Sequence, residues 1–193
     1  MKKIIIALLF FITALSFNIS AQETTSGEKF GNALNLGLGI GGYSGYYGYV
    51  GRSLPVFHIN YEFGVAKNFT LAPFVSFYSY RNGYYWGDHN KNYPYKNYYY
   101  TETVIPIGGK GTYYFDDLLK ANSKWDFYLA GSLGFSIVSS SWDNDYYGDR
   151  NVYRGASSLY FDFHGGAEYH FNNHLGAFLD LSTGVSTIGL AIH

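Results

Sequence analysis

The chain has 193 residues with 13 basic and 14 acidic side chains, so it lacks the cationic excess that nucleic-acid binding requires. Charged residues make up 14% of it against ~25% in ordinary soluble domains, while aromatic residues reach 21%. Without cysteine, neither a disulfide framework nor a lipidated N-terminus is available.

The first residues have the layout of a cleaved secretory signal peptide: Lys2 and Lys3, an uncharged apolar run, then the small Ser20 and Ala21 ahead of polar Gln22-Glu23-Thr24-Thr25. The apolar run is shorter than the ~20 residues that span a bilayer, which disfavours a retained anchor. The expected organisation is therefore a signal peptide over 1–21 and one domain over 22–193, with a net charge of −3 once Lys2 and Lys3 are lost.

From about Ala33 onward, apolar and polar residues alternate. In Trp125-Asp-Phe-Tyr-Leu-Ala-Gly-Ser-Leu-Gly-Phe-Ser-Ile137 one parity carries Trp125, Phe127, Leu129, Leu133, Phe135 and Ile137, the other Asp126, Tyr128, Ala130, Ser132 and Ser136. Successive strand side chains point to opposite faces, so one face is bulky and apolar and the other small and polar. Alternation and turn signals together predict eight strands, at 32–41, 54–65, 69–80, 100–115, 125–140, 157–171, 174–182 and 185–193. Pro73 and Pro106 fall inside two of them and are expected to mark bulges.

The predicted connections alternate in length. Ala66-Lys67-Asn68, 116–124 and Asn172-Asn173 are short, whereas 42–53, 81–99 and 141–156 are long; only the final hairpin, near Thr183-Gly184, is short on the other side. Outer-membrane barrels place long loops outside the cell and short turns in the periplasm. Phe63, Phe69, Phe115, Trp125 and Phe171 flank the short connections, where an interfacial girdle belongs. The expected fold class is all-β, an eight-stranded antiparallel up-and-down transmembrane β-barrel. The competing reading, a soluble barrel with its bulky parity inward, fits poorly, because eight strands enclose only a narrow interior.

The inward parity carries Asn35, His58, Asn60, Glu62, Glu102, Lys110, Thr112, Asp126, Tyr128, Asp162, His164, Glu168, His170 and Asp180. His58, Glu62, Glu102, Lys110, Asp126, Asp162, His164, Glu168 and His170 are read as a structural polar plug. Glu62, Lys110 and Glu168 lie at similar distances from one end of their strands, so Lys110 is expected to neutralise that carboxylate cluster. His164 and His170 share a parity with Asp162 and Glu168, but six residues of strand span about 20 Å, too far for one ion. No metal or cofactor site is expected. No motif brackets a serine as a nucleophile, and the Gly-rich stretches Gly37–Gly42 and Gly108–Gly111 lack the phosphate-loop pattern, so no catalytic residue is expected.

The long connections are rich in tyrosine, asparagine and glycine. Tyr84, Tyr85, Trp86, Tyr93, Tyr95, Trp142, Tyr146 and Tyr147 are recognition candidates, because rigid rings beside adaptable hydrogen-bonding groups make contact surfaces. Their alternative role is structural, as an extension of the barrel beyond the membrane.

Ile105-Pro-Ile-Gly-Gly-Lys-Gly-Thr-Tyr-Tyr-Phe115, Phe127-Tyr-Leu-Ala-Gly-Ser-Leu-Gly-Phe135, Gly176-Ala-Phe-Leu-Asp-Leu-Ser and Ile188-Gly-Leu-Ala-Ile192 resemble the small outer-membrane protein beta-barrel domain family, most of all members common in Bacteroidota. The resemblance implies an eight-stranded barrel inserted into a Gram-negative outer membrane by the assembly machinery there, with no shared catalytic residues. Such barrels usually end in an aromatic residue, where this chain has His193. The expected role is envelope structure and surface recognition, with outer-membrane lipid, lipopolysaccharide, and an extracellular protein or glycan as partners and no nucleic acid. A barrel that binds or transports a small apolar ligand is the alternative, and a lipid-modifying enzyme stands behind both.

Overall fold

The computed structural model describes residues 32–41, 51–53, 55–86, 96–119, 124–142 and 158–193. The leader lies outside them. Along the chain run β1 (Ala33–Gly41), β2 (Gly51–Ser53), β3 (Val56–Ala66), β4 (Phe69–Trp86), β5 (Lys96–Tyr114), a single helical turn α1 (Asp116–Leu119), β6 (Trp125–Trp142), β7 (Leu159–Asn172), β8 (Leu175–Ser182) and β9 (Val185–Ile192). Every pairing is antiparallel, and β1 meets β9 from Leu34↔Ile192 to Gly41↔Val185, which closes the sheet. The short β2 lies on the edge of β4 that β3 also occupies, so the wall is an eight-stranded barrel.

All eight expected strands are present, with two differences. β4 and β5 stay paired to Trp86↔Lys96, well into the segment read as a loop. Tyrosine favours strands, and that propensity outweighs the turn signal of Asn82-Gly83. Nor do the prolines mark bulges: one register runs unbroken through Pro73 and Pro106 between β4 and β5. Each proline takes a rung on one neighbour and interrupts rungs on the other, losing a hydrogen bond without a slip. Register shifts fall at strand ends instead, between Gly64 and Ala66 and between His170 and Asn172. The β3–β4 turn is made by Lys67-Asn68, with Asn68 at φ 61°, a conformation asparagine tolerates better than most residues.

The barrel therefore has a turn end, carrying 67–68, 115–124 and 173–174, and a loop end. Exposure follows the expected parity: Leu129 and Leu133 are 60% exposed and Phe135 72%, whereas Ser132 and His164 are 3% and 7%. At the turn end Trp125 packs 4.9 Å from Tyr169, which lies 5.6 Å from Phe171, giving an outward aromatic cluster.

The interior is less uniformly small than the alternation suggested. Phe74, Tyr78, Tyr80, Tyr98, Tyr100, Tyr114, Tyr128, Tyr160 and Phe178 are all buried in it. Towards the loop end Val56, Tyr78, Tyr80, Val104 and Val185 form an apolar layer, and towards the turn end Tyr114 and Tyr128 pack over Ala130. Rings of this size fit because glycine lets them lie across the next strand. The Tyr128 ring crosses β7 where a methyl on Gly166 would overlap it, whereas a methyl on Gly131 would meet nothing. Gly166→Ala is expected to cost about 1–3 kcal/mol in urea unfolding of the refolded barrel, with Gly131→Ala close to neutral.

Candidate functional site

The interior polar residues come from strands all round the wall and form several hydrogen-bonded clusters. At the centre of one, Lys110 Nζ of β5 donates to Asp180 Oδ2 of β8 at 2.6 Å, with both side chains 4% exposed. The Tyr128 hydroxyl donates to the same oxygen at 3.1 Å, and His164 Nδ1 lies 2.7 Å from Asp180 Oδ1. Lys110 thus pairs with Asp180 rather than with Glu62 or Glu168 as expected. Depth counted along each strand does not survive the stagger of tilted strands.

The two carboxylates expected beside Lys110 have other partners. Glu62 accepts from Asn35 at 3.1 Å, Thr70 at 2.8 Å and the Tyr114 hydroxyl at 2.7 Å. Glu168 Oε1 accepts from His193 Nε2 at 2.7 Å, its side chain lying across Gly176, where a methyl would overlap the carboxylate. Glu102 accepts from the Tyr80 hydroxyl. Asp162 braces the β8–β9 turn from inside, accepting from Thr183 Oγ1 at 2.7 Å, Gly184 N at 2.8 Å, Ser182 Oγ at 2.9 Å and both Val185 N and the Tyr160 hydroxyl at 3.1 Å. That support explains how the one short connection at the loop end is held.

His58 belongs to a directional chain. Asn35 Nδ2 donates to Asn60 Oδ1 at 2.9 Å, which turns the Asn60 amide so that its Nδ2 meets His58 Nε2 at 3.0 Å. The ring proton then sits on Nδ1, facing Ser76 Oγ at 2.7 Å. A histidine that donates to a serine is no base for it.

Ser132, His164 and Asp180 show the opposite polarity. Ser132 Oγ lies 2.8 Å from His164 Nε2, whose other nitrogen faces Asp180, the bonding order of a hydrolase triad. Ser132 and His164 are both buried. Asp180 is shared with Lys110 and Tyr128, and the cavity nearby, which Ser132 and His164 do not line, measures about 10 Å³, room for about one water.

His164 and His170, expected to be too far apart to share an ion, have different partners: His170 Nε2 lies 2.6 Å from Asp126 Oδ2. The structure instead gathers Glu168, His170 and His193 at the turn-end mouth, each offering a donor within 4.8 Å of the others. Sequence reasoning passed over His193, although it continues the inward parity of Thr187 and Ala191. His193 lies just past β9, and its hydrogen bond to Glu168 raises its pKa above the ordinary imidazole range despite partial burial.

Of the loop candidates, Tyr84, Tyr85 and Trp86 lie in β4 opposite Tyr98, Asn97 and Lys96. Trp142 ends β6 with its ring 4.8 Å from Tyr100. Tyr93, Tyr95, Tyr146 and Tyr147 lie outside the described residues.

No family model and no curated protein matches the chain. Among solved structures it is similar to one from the de novo design of transmembrane β-barrels, at 10% identity over 86% of this chain and 98% of that one, with a TM-score of 0.43. It is also similar to the outer-membrane protein Ail of Yersinia pestis in a phospholipid bilayer nanodisc, at 12% identity over 84% of this chain and 98% of that one, with a TM-score of 0.39. The barrel itself rests on the strand pairing of this chain.

Breaking the Lys110–Asp180 pair tests its cluster. Lys110→Met leaves Asp180 buried beside a histidine and a phenol and is expected to cost about 3–5 kcal/mol in urea unfolding. Adding Asp180→Leu is expected to recover most of that loss.

Proposed function

We propose that the chain is an outer-membrane β-barrel of a Gram-negative bacterium, exported by the leader over 1–21 and inserted with its turn end in the periplasm. One observation carries this reading: large apolar side chains stand exposed on every wall strand, while the wall's carboxylates and Lys110 are buried inside. Leu38, Phe57, Leu71, Ile107, Leu133, Phe161, Leu179 and Ile188 are all exposed, a band far larger than the apolar patches soluble monomers display. Acyl chains are the solvent that suits such a band. Lipid and lipopolysaccharide are then the immediate surroundings, and the outer-membrane assembly machinery is the inserting partner.

The proposed role is non-catalytic, in envelope structure and in recognition of an extracellular protein or glycan. The packed interior, with its water-sized cavity, supports a plug closed to solutes. The β4–β5 hairpin, paired to Trp86↔Lys96, supports a projecting arm that presents the Tyr-rich connection 87–95. Loop-end Arg81, whose guanidinium stands 4.6 Å from the Tyr99 ring centre, is suited to lipid phosphates.

A second reading, the small apolar ligand, is favoured by one feature of the outer wall. Leu36, Leu38, Phe57, Ile59, Val75 and Leu190 line a groove of about 530 Å³ over Gly37 and Gly189. An acyl chain fits it, and mass spectrometry of lipid retained after purification distinguishes a held chain from bulk lipid.

The main reading predicts an envelope protein whose unheated gel mobility differs from that of the boiled form, and no conductance in planar bilayers. Leu133→Arg is expected to cost about 2–4 kcal/mol. Deleting 87–95 is expected to leave the barrel folded and abolish binding to lipopolysaccharide or a glycan array. Binding that survives the deletion contradicts a recognition role for 87–95, and a soluble processed protein contradicts the whole reading.

A further inference from the structure

We propose that Glu168, His170 and His193 form a binding site for one divalent transition metal ion, zinc being the best match, at the turn-end mouth of the barrel. Two imidazoles and a carboxylate are a donor set that zinc uses readily, generally with water in the fourth position.

The geometry is close to what an ion needs. The three donors lie within 4.8 Å of one another, with His193 Nε2 at 2.7 Å and His170 Nδ1 at 3.8 Å from the same oxygen, Glu168 Oε1. Donors on a tetrahedral zinc stand roughly 3.3–3.5 Å apart, given bonds of ~2.0–2.2 Å. Small ring rotations therefore assemble the site without moving a strand.

Each donor is held by the fold. The His170 backbone N–H donates to Lys124 O at 2.8 Å, and that of His193 donates to His174 O at 3.0 Å. Gly176 leaves the gap through which Glu168 crosses β8. Most telling is Asp126, which sits 2.6 Å from His170 Nε2 and leaves Nδ1 directed at Glu168. A carboxylate behind an imidazole, fixing its tautomer and raising its basicity, is the usual outer partner of a metal-binding histidine.

An entry path exists as well. The Glu168 side chain is 7% exposed, but those of His170 and His193 are 14% and 16%, so the site is buried on one side and open at the mouth. Neither imidazole contributes to the Lys110–Asp180 centre, so metal binding does not depend on the closed-plug reading.

The test uses the refolded barrel in detergent micelles, without a polyhistidine tag, titrated with Zn²⁺ against a chromophoric chelator. Co²⁺ serves as a visible-absorption probe of coordination. One Zn²⁺ per chain is expected, with cobalt bands of tetrahedral type. His193→Ala and Glu168→Gln should each weaken Zn²⁺ at least tenfold, while His174→Ala, at the exposed turn, should not. His193→Ala leaves every strand intact, and heat-modifiable mobility verifies its fold. The proposal is overturned by wild-type protein that binds no Zn²⁺, by His193→Ala binding as tightly as wild type, or by equal losses in His174→Ala.

Discussion

The structure depends on one constraint: a narrow barrel with an apolar outside must satisfy its polar groups from within. Glu62, Glu102, Asp126, Asp162, Glu168 and Asp180 are buried in the interior, with Lys110 as the buried lysine among them. Among the described residues, that one lysine cannot neutralise six carboxylates by ion pairing. Tyrosine supplies much of the remainder, since the hydroxyls of Tyr114, Tyr80, Tyr160 and Tyr128 each donate to one of these carboxylates. A phenol adds a strong donor and fills volume, so one residue type serves both packing and charge.

This arrangement sets the rest of the wall. Long inward side chains must lie flat across neighbouring strands, and glycines at Gly166 and Gly176 give Tyr128 and Glu168 their paths. The histidines divide by their surroundings: His58 is locked as a donor to Ser76, His164 joins the Asp180 centre, and His170 and His193 gather at the mouth. The triad-like bonding of Ser132, His164 and Asp180 belongs to this same packed interior.

Much of this was legible in the sequence because a period of two leaves little freedom. Once Leu129, Leu133 and Phe135 face one way, Ser132 must face the other, and the fourteen inward residues followed from that rule. The rule is silent on two matters. It does not say which strands lie opposite across the lumen, so Lys110 was assigned to Glu62 and Glu168 when stagger delivers Asp180. It also does not weigh strand propensity against turn residues, so Asn82-Gly83 read as loop although the hairpin stays paired to Trp86. His193 was hidden for a plainer reason: its partners are on β7, two strands away in the wall, and no local spacing connects them.

The central claim is the direction in which the bulky parity faces, and the lack of cysteine makes it directly measurable. Single cysteines placed one at a time from 129 to 137, spin-labelled and reconstituted in lipid vesicles, report collision with oxygen, which partitions into lipid. The account predicts strict alternation, high at 129, 131, 133, 135 and 137 and low between. A flat profile, or one with its maxima at 130, 132, 134 and 136, contradicts it.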